Sequence, residues 1–86
     1  MMISESKRIL SDICQGRYRI TRHAKERMDE RGVTSSDIRS CAKTAGSIVQ
    51  QENKKHLISG FDVSGDKLRV VAVWDSETLI ITVMGD

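Results

Sequence analysis

The 86-residue sequence has no proline, and its aromatic residues number three: Tyr18, Phe61 and Trp74. Without proline, the breaks between elements must come from glycine and from helix-capping side chains. With 38% of residues apolar and 30% charged, the composition is that of a folded chain and excludes a disordered tail, so the core must be aliphatic. No apolar run approaches the ~20 residues of a membrane span, and the first residues lack a basic-then-hydrophobic leader, so a cytoplasmic protein without membrane attachment is expected. Cys14 and Cys41 have no CxxC or HxxxH companion, which excludes a recognisable zinc motif and a disulfide framework; both read as reduced thiols. P-loop, dinucleotide-fingerprint, GxSxG, HExxH and EF-hand patterns are all missing. Neither a metal nor another cofactor is therefore expected.

Net charge is small, +2, but it is unevenly distributed. Residues 1–43 carry ten Lys and Arg against six acids, whereas residues 44–86 carry four against six. The densest basic stretch holds Arg17, Arg19, Arg22, Lys25, Arg27 and Arg31. Such a patch attracts phosphate, although i,i+4 pairs such as Lys25 with Asp29 would turn part of it into a solvated helix face.

A chain of this length forms one domain over residues 1–86, with helices over about 4–45 and sheet over about 47–84. In the first helix, 4–15, Ile9, Leu10, Ile13 and Cys14 share a face between a Ser4 cap and Gly16. Thr21 caps a second, 22–31, that closes at Gly32. Thr34 and Asp37 form a shortened capping box, flanked by the hydrophobic staple Val33 and Ile38. That third helix shows Ile38, Cys41, Ala42 and Ala45 at helical spacing before Gly46. Beyond Gly46 the period falls to two, giving strands at 47–52, 56–63, 67–74 and 78–84. The expected architecture is α+β, with two to three helices packed on a four-stranded antiparallel meander. Aligning the apolar sets of the last hairpin pairs Trp74 with Leu79 and Val70 with Val83. The opposite sheet face, with Arg69, Val71 and Val73 beside Ile80, Thr82 and Met84, is half apolar and calls for a covering partner, a homodimer mate or another protein.

The richest stretch chemically runs from His23 to Arg31. At 100° per residue, His23, Arg27 and Arg31 fall within an arc of about 80°. Imidazole exchanges protons near neutral pH, and guanidinium binds phosphate while staying charged, so this face suits phosphodiester cleavage. The bland alternative pairs Arg27 and Arg31 with Glu26, Glu30 or Asp37. Arg69 stands among apolar neighbours in a strand, where a charge requires a partner or a ligand, and it lies diagonal to Thr82 in the expected hairpin. Lys54 and Lys55 read as turn residues able to guide a nucleic-acid backbone, and His56 as a strand-end surface histidine and reserve proton-transfer group.

The run ITRHAKERMDERGVTSSDI at 20–38, followed by VVAVW and IITV strands, resembles a family of small bacterial domains of unknown function related to RelE/ParE toxins and near BrnT-like proteins. The resemblance covers residues 17–84 and implies helices on a small antiparallel sheet. It further implies metal-independent endoribonuclease activity on RNA, including mRNA, neutralised by a cognate antitoxin. Its HAxxR element points to His23 and Arg27, and less directly to Arg31 and Thr82. Met84 departs from the aromatic that many relatives carry there. The resulting expectation places His23, Arg27, Arg69 and His56 in catalysis, with Arg31, Lys54, Lys55 and Thr82 on RNA. Competing with it is a non-catalytic protein- or nucleic-acid-binding module. A helix-turn-helix reading around Gly32 is weaker, because the third helix offers only Arg39 and Lys43 for reading bases.

Overall fold

A computed structural model describes residues 4–85; residues 1–3 and 86 of the expected domain lie outside the described residues. Helix α1 is Glu5–Cys14, α2 is Arg22–Arg31 and α3 is Ser35–Lys43. Each starts at the hydroxyl residue expected, with Ser4, Thr21 and Thr34 accepting backbone N–H groups of Lys7, Ala24 and Asp37. Gly32 ends α2 in the left-handed conformation, φ 68°, and Val33 N–H donates to the Met28 carbonyl. The third helix stops at Lys43, short of Ala45. There the Thr44 hydroxyl turns back to the Ser40 carbonyl at 2.7 Å and accepts the Phe61 N–H at 2.9 Å.

The sheet is five-stranded and mixed, which corrects the expected four-stranded antiparallel meander. Strands β2 (Ser47–Gln50), β3 (His56–Phe61), β4 (Lys67–Trp74) and β5 (Thr78–Met84) form the meander, and β1 (Arg19–Ile20) adds to β5 in parallel, giving the order β1-β5-β4-β3-β2. Two residues between helices carry no periodic signal, so β1 is invisible to a pattern search. Strand β2 ends two residues early, where Glu52–Lys54 form a 3₁₀ turn with Asn53 and Lys54 at positive φ. Strand β3 also ends two residues early, because an Asp62 carboxylate oxygen gathers the N–H groups of Ser64 and Asp66 into a turn.

The last hairpin departs from the expected register in one place. Val70 does face Val83, but Trp74 faces Thr78, not Leu79, because Ile81 is an extra residue opposite the Val71–Ala72 step. This β-bulge changes which side chains enter the core: Thr78, Ile80 and Val83 are buried there, and Leu79 and Ile81 are not. The core-facing set also contains Ile9, Ile13, Ala24, Met28, Ile38 and Cys41 from the helices, and Ile58, Leu68, Val70 and Ala72 from the sheet. It is aliphatic, as the scarcity of aromatics requires. Val49 and Phe61 remain 51% and 43% exposed on the far face, which no helix covers.

Two contacts fix α3 on the sheet. A side chain at Gly60 would place its Cβ 2.2 Å from the Cys41 carbonyl oxygen, so only glycine admits α3 this close. Beside it the Cys41 thiol donates to the Leu68 carbonyl at 3.2 Å, and burial pushes this thiol up to about 11, so it stays protonated. At the other end of α3, Asp37 completes the capping box with Thr34 and accepts the Val63 N–H at 3.1 Å. The Thr34 backbone bond leads the interactions that hold the Asp37 carboxyl below its ordinary value, against the opposing effect of burial.

Gly60→Ala is expected to destabilise the fold by at least about 3 kcal/mol in urea denaturation, as backbone overpacking that neither element can relieve; wild-type stability in that variant would show that α3 is free to shift. Because the Asp37 pKa is lower in the folded than in the unfolded chain, its contribution is complete above the ordinary value of about 4 and is lost as pH falls through the folded value. Asp37→Asn should therefore cost about 1–2 kcal/mol at pH 7, with the gap to wild type closing in strong acid.

Candidate nucleic-acid interface

The placement of α2 depends on the bulge in β5. Ile81 has no partner in β4, and its carbonyl accepts the Thr21 hydroxyl at 3.4 Å; the same Thr21 oxygen caps α2, and Thr21 N–H donates to the Ile80 carbonyl. From this anchor α2 runs beside the second half of β5, burying Ala24 and Met28. Its narrow apolar stripe leaves His23, Arg27 and Arg31 exposed on one flank. The helix ends where the strand ends: a Cβ at Gly85 would stand 3.3 Å from Arg31 Nη1.

Arg69 reaches the same end of the sheet from β4, where it faces Met84 on one side and Ser59 on the other. It points away from the helices into a cleft of about 330 Å³, lined also by Ser59, Phe61 and Lys67. Its Nε is buried without a hydrogen-bond acceptor among the described residues. Thr82 lies opposite Val71 and thus diagonal to Arg69, the relation expected from sequence. Arg31 thus stands beside Gly85 at the C-terminal end of β5, with Arg27 and His23 one and two turns back along α2, while Arg69 and Thr82 lie on the sheet face turned away from the helices.

Their charge states differ. Arg27 is paired with Glu30 at 3.0 Å, and Lys25 and Arg22 with Asp29 and Glu26 at 3.0 and 4.0 Å. Arg31 has no carboxylate partner among the described residues, so the bland pairing expected for both arginines holds for Arg27 alone. Exposed pairs of this kind contribute little energy and open readily to a phosphate. His23 and Arg31 are separated by about 12 Å along the helix. One phosphate cannot touch both, whereas a strand laid along α2 can.

The structure does not bring the remaining candidates to this face. His56 is 1% exposed on the core-facing side of β3, beside Ala72, and its Nδ1 lies 3.1 Å from the Lys54 carbonyl. This corrects the reading of a surface histidine: the strand starts one residue after the turn, so its first side chain falls inward. β4 and β5 stand between it and α2. Lys54 sits at the opposite end of the sheet from Arg69, in a shallow cleft with Trp74 and Asp75, and Lys55 follows it in the turn. Sequence reasoning missed Ser59, Phe61 and Lys67, although the β3–β4 register, once drawn, sets all three beside Arg69.

Among the described residues no group of three His, Cys, Asp or Glu could hold a metal ion, and no helix is long and apolar enough to cross a membrane. No curated protein and no solved structure gives a significant match. A family profile described as a domain of unknown function, DUF4258, matches residues 20–85, which takes in every candidate residue and leaves α1 outside. The elements from α2 through β5 thus lie within the match, and the chain belongs to the DUF4258 family.

Proposed function

We propose that this protein is a metal-independent endoribonuclease with a RelE/ParE-like arrangement, the toxin of a bacterial toxin–antitoxin pair acting on RNA in the cytoplasm. The observation that carries the reading is the exposed row of His23, Arg27 and Arg31 along α2, which ends at an Arg31 with no carboxylate partner among the described residues. An exposed guanidinium without a carboxylate partner is a receptor for phosphodiester groups.

Cleavage without a metal uses the RNA 2′-hydroxyl as nucleophile. His23 takes its proton, the 2′-oxygen bonds to phosphorus, and the 5′-oxygen leaves and is protonated by solvent, giving a 2′,3′-cyclic phosphate and a 5′-hydroxyl end. Arg27, released from Glu30, neutralises the charge that develops on the phosphoryl oxygens, while Arg31 holds the neighbouring phosphate and Arg69 offers the strand a further contact on the sheet face beyond the end of β5. His56 takes no part, because it lies in the core.

One observation favours the second reading, a non-catalytic binding module of the same fold: with His56 buried, the described surface carries a single imidazole. Either reading leaves the far sheet face, with Val49 and Phe61, to a partner such as an antitoxin or a second copy.

Inducible expression in a bacterial host, with growth and total RNA followed together, tests the proposal. Wild type is expected to arrest growth and break RNA, and His23→Ala/Arg27→Ala to lose at least about 100-fold of the cleavage rate while staying folded. Normal growth with intact RNA from soluble wild-type protein would sink the ribonuclease and leave the binding module. Arg69→Met should separate site from scaffold: removing a buried, unpaired Nε leaves stability unchanged or raises it by about 1 kcal/mol, yet weakens RNA binding. A loss of stability in that variant would mean that Arg69 serves the fold.

A further inference from the structure

A second cleft, of about 450 Å³, opens at the other end of β5, between α1 and the β4–β5 hairpin, where Arg8, Asp12, Arg17, Trp74 and Glu77 line it. About 20 Å of strand separates it from the end beside Arg31. The Arg8 guanidinium lies over the Trp74 ring, 5.1 Å from its centroid. Both carboxylates are already engaged: Asp12 accepts the buried Thr78 hydroxyl at 2.7 Å and Arg17 Nε at 3.4 Å, and Glu77 pairs with Arg19 at 3.1 Å. Arg8 is left without a carboxylate among the described residues.

A ligand that satisfies this cleft must be flat, to share the indole, and anionic, to meet Arg8 and the exposed Arg17. A nucleotide is both, whereas an acidic peptide lacks the plane and a neutral ring leaves the charge unmet. The volume lies within the range of small-ligand sites. Between Arg17 of the cleft and His23 the chain carries the exposed Arg19 and Arg22, paired with Glu77 and Glu26. We infer that Trp74, Arg8 and Arg17 form a nucleotide-stacking subsite that grips single-stranded RNA at a base remote from the cleaved phosphate. This rests on the RNA reading above, but it concerns a different surface and needs no turnover.

Trp74 is the only tryptophan, so emission reports on this cleft and on the shallow cleft beside Lys54 that shares its indole, and Arg8→Ala assigns the signal to the former. Titration of the full chain with adenosine monophosphate, and with a ten-nucleotide single-stranded RNA, should quench Trp74 saturably, whereas ribose 5-phosphate should not. Arg8→Ala, folded by circular dichroism, should weaken both quenching ligands at least fivefold. The subsite is overturned if adenosine monophosphate leaves the emission unchanged, if Arg8→Ala binds as wild type, or if polyglutamate quenches equally, which would mark a protein-binding cleft instead. RNA cleavage with a silent Trp74 would remove the subsite and keep the ribonuclease. Quenching without cleavage would do the reverse.

Discussion

The contact between the Cys41 carbonyl and the bare α-carbon of Gly60 decides how the rest of the chain is arranged. It sets α3 against β3 at backbone distance, closer than any side chain would allow, and the thiol of Cys41 reaches across to the Leu68 carbonyl of β4. With α3 held so low, α1 lies beside it over β4 and β5 and contributes Ile9 and Ile13 to the same layer. The helices then cover one face of the sheet and none of the other. A core of small aliphatic groups suits this geometry, since the space between α3 and the sheet is too shallow for aromatic rings. The single tryptophan lies at the sheet's end, where the Arg8 guanidinium stands over its ring at 5.1 Å from the centroid.

The bulge at Ile81 plays the corresponding part for the candidate site. An unbroken β5 would place Leu79 and Ile81 in the core and leave no carbonyl free at the point where α2 begins. The extra residue reverses the inward set and presents its carbonyl to Thr21. Because α2 starts at the bulge and is ten residues long, it ends beside Gly85 and delivers Arg31 to the strand terminus. The basic face of α2 is therefore a consequence of one register shift and one helix length.

How far the sequence foretells this differs by element, and the difference has a physical cause. Helix starts were legible because Ser4, Thr21 and Thr34 each satisfy orphan N–H groups within a few residues of themselves. Strands β4 and β5 were legible to the residue through their length and β-branched content. What escaped depends on strand partners: the parallel pairing of β1, the bulge, and the inward turn of His56 are set by residues about 8–60 positions away. Of the candidate residues, His23, Arg27 and Arg31 follow from helical periodicity, and the relation of Arg69 to Thr82 from the Val70–Val83 pairing, which lies on the unshifted side of the bulge. His56 could not be placed from sequence, because a histidine that opens a strand after a lysine pair has the same local pattern whether its first side chain turns in or out.

A one-sided sheet and a site at its margin are connected. The covered face is filled by aliphatic side chains and by polar groups that satisfy one another, such as Thr78 with Asp12, and leaves no room for a substrate. The far face is open but flat and half apolar, better suited to a protein than to a phosphate. Unpaired charge collects where elements end: at the close of α2 and β5, where Arg31 stands beside Gly85, and at the β4–β5 hairpin, where Arg8 lies over Trp74. Lone guanidiniums at such margins keep part of their hydration, so holding them unpaired costs the fold little, and Arg69 alone gives up solvent at a buried Nε. On the proposed reading, an extended polyanion that follows the margin would meet both ends without disturbing the core, and a single-stranded nucleic acid would suit the molecule better than a compact ligand.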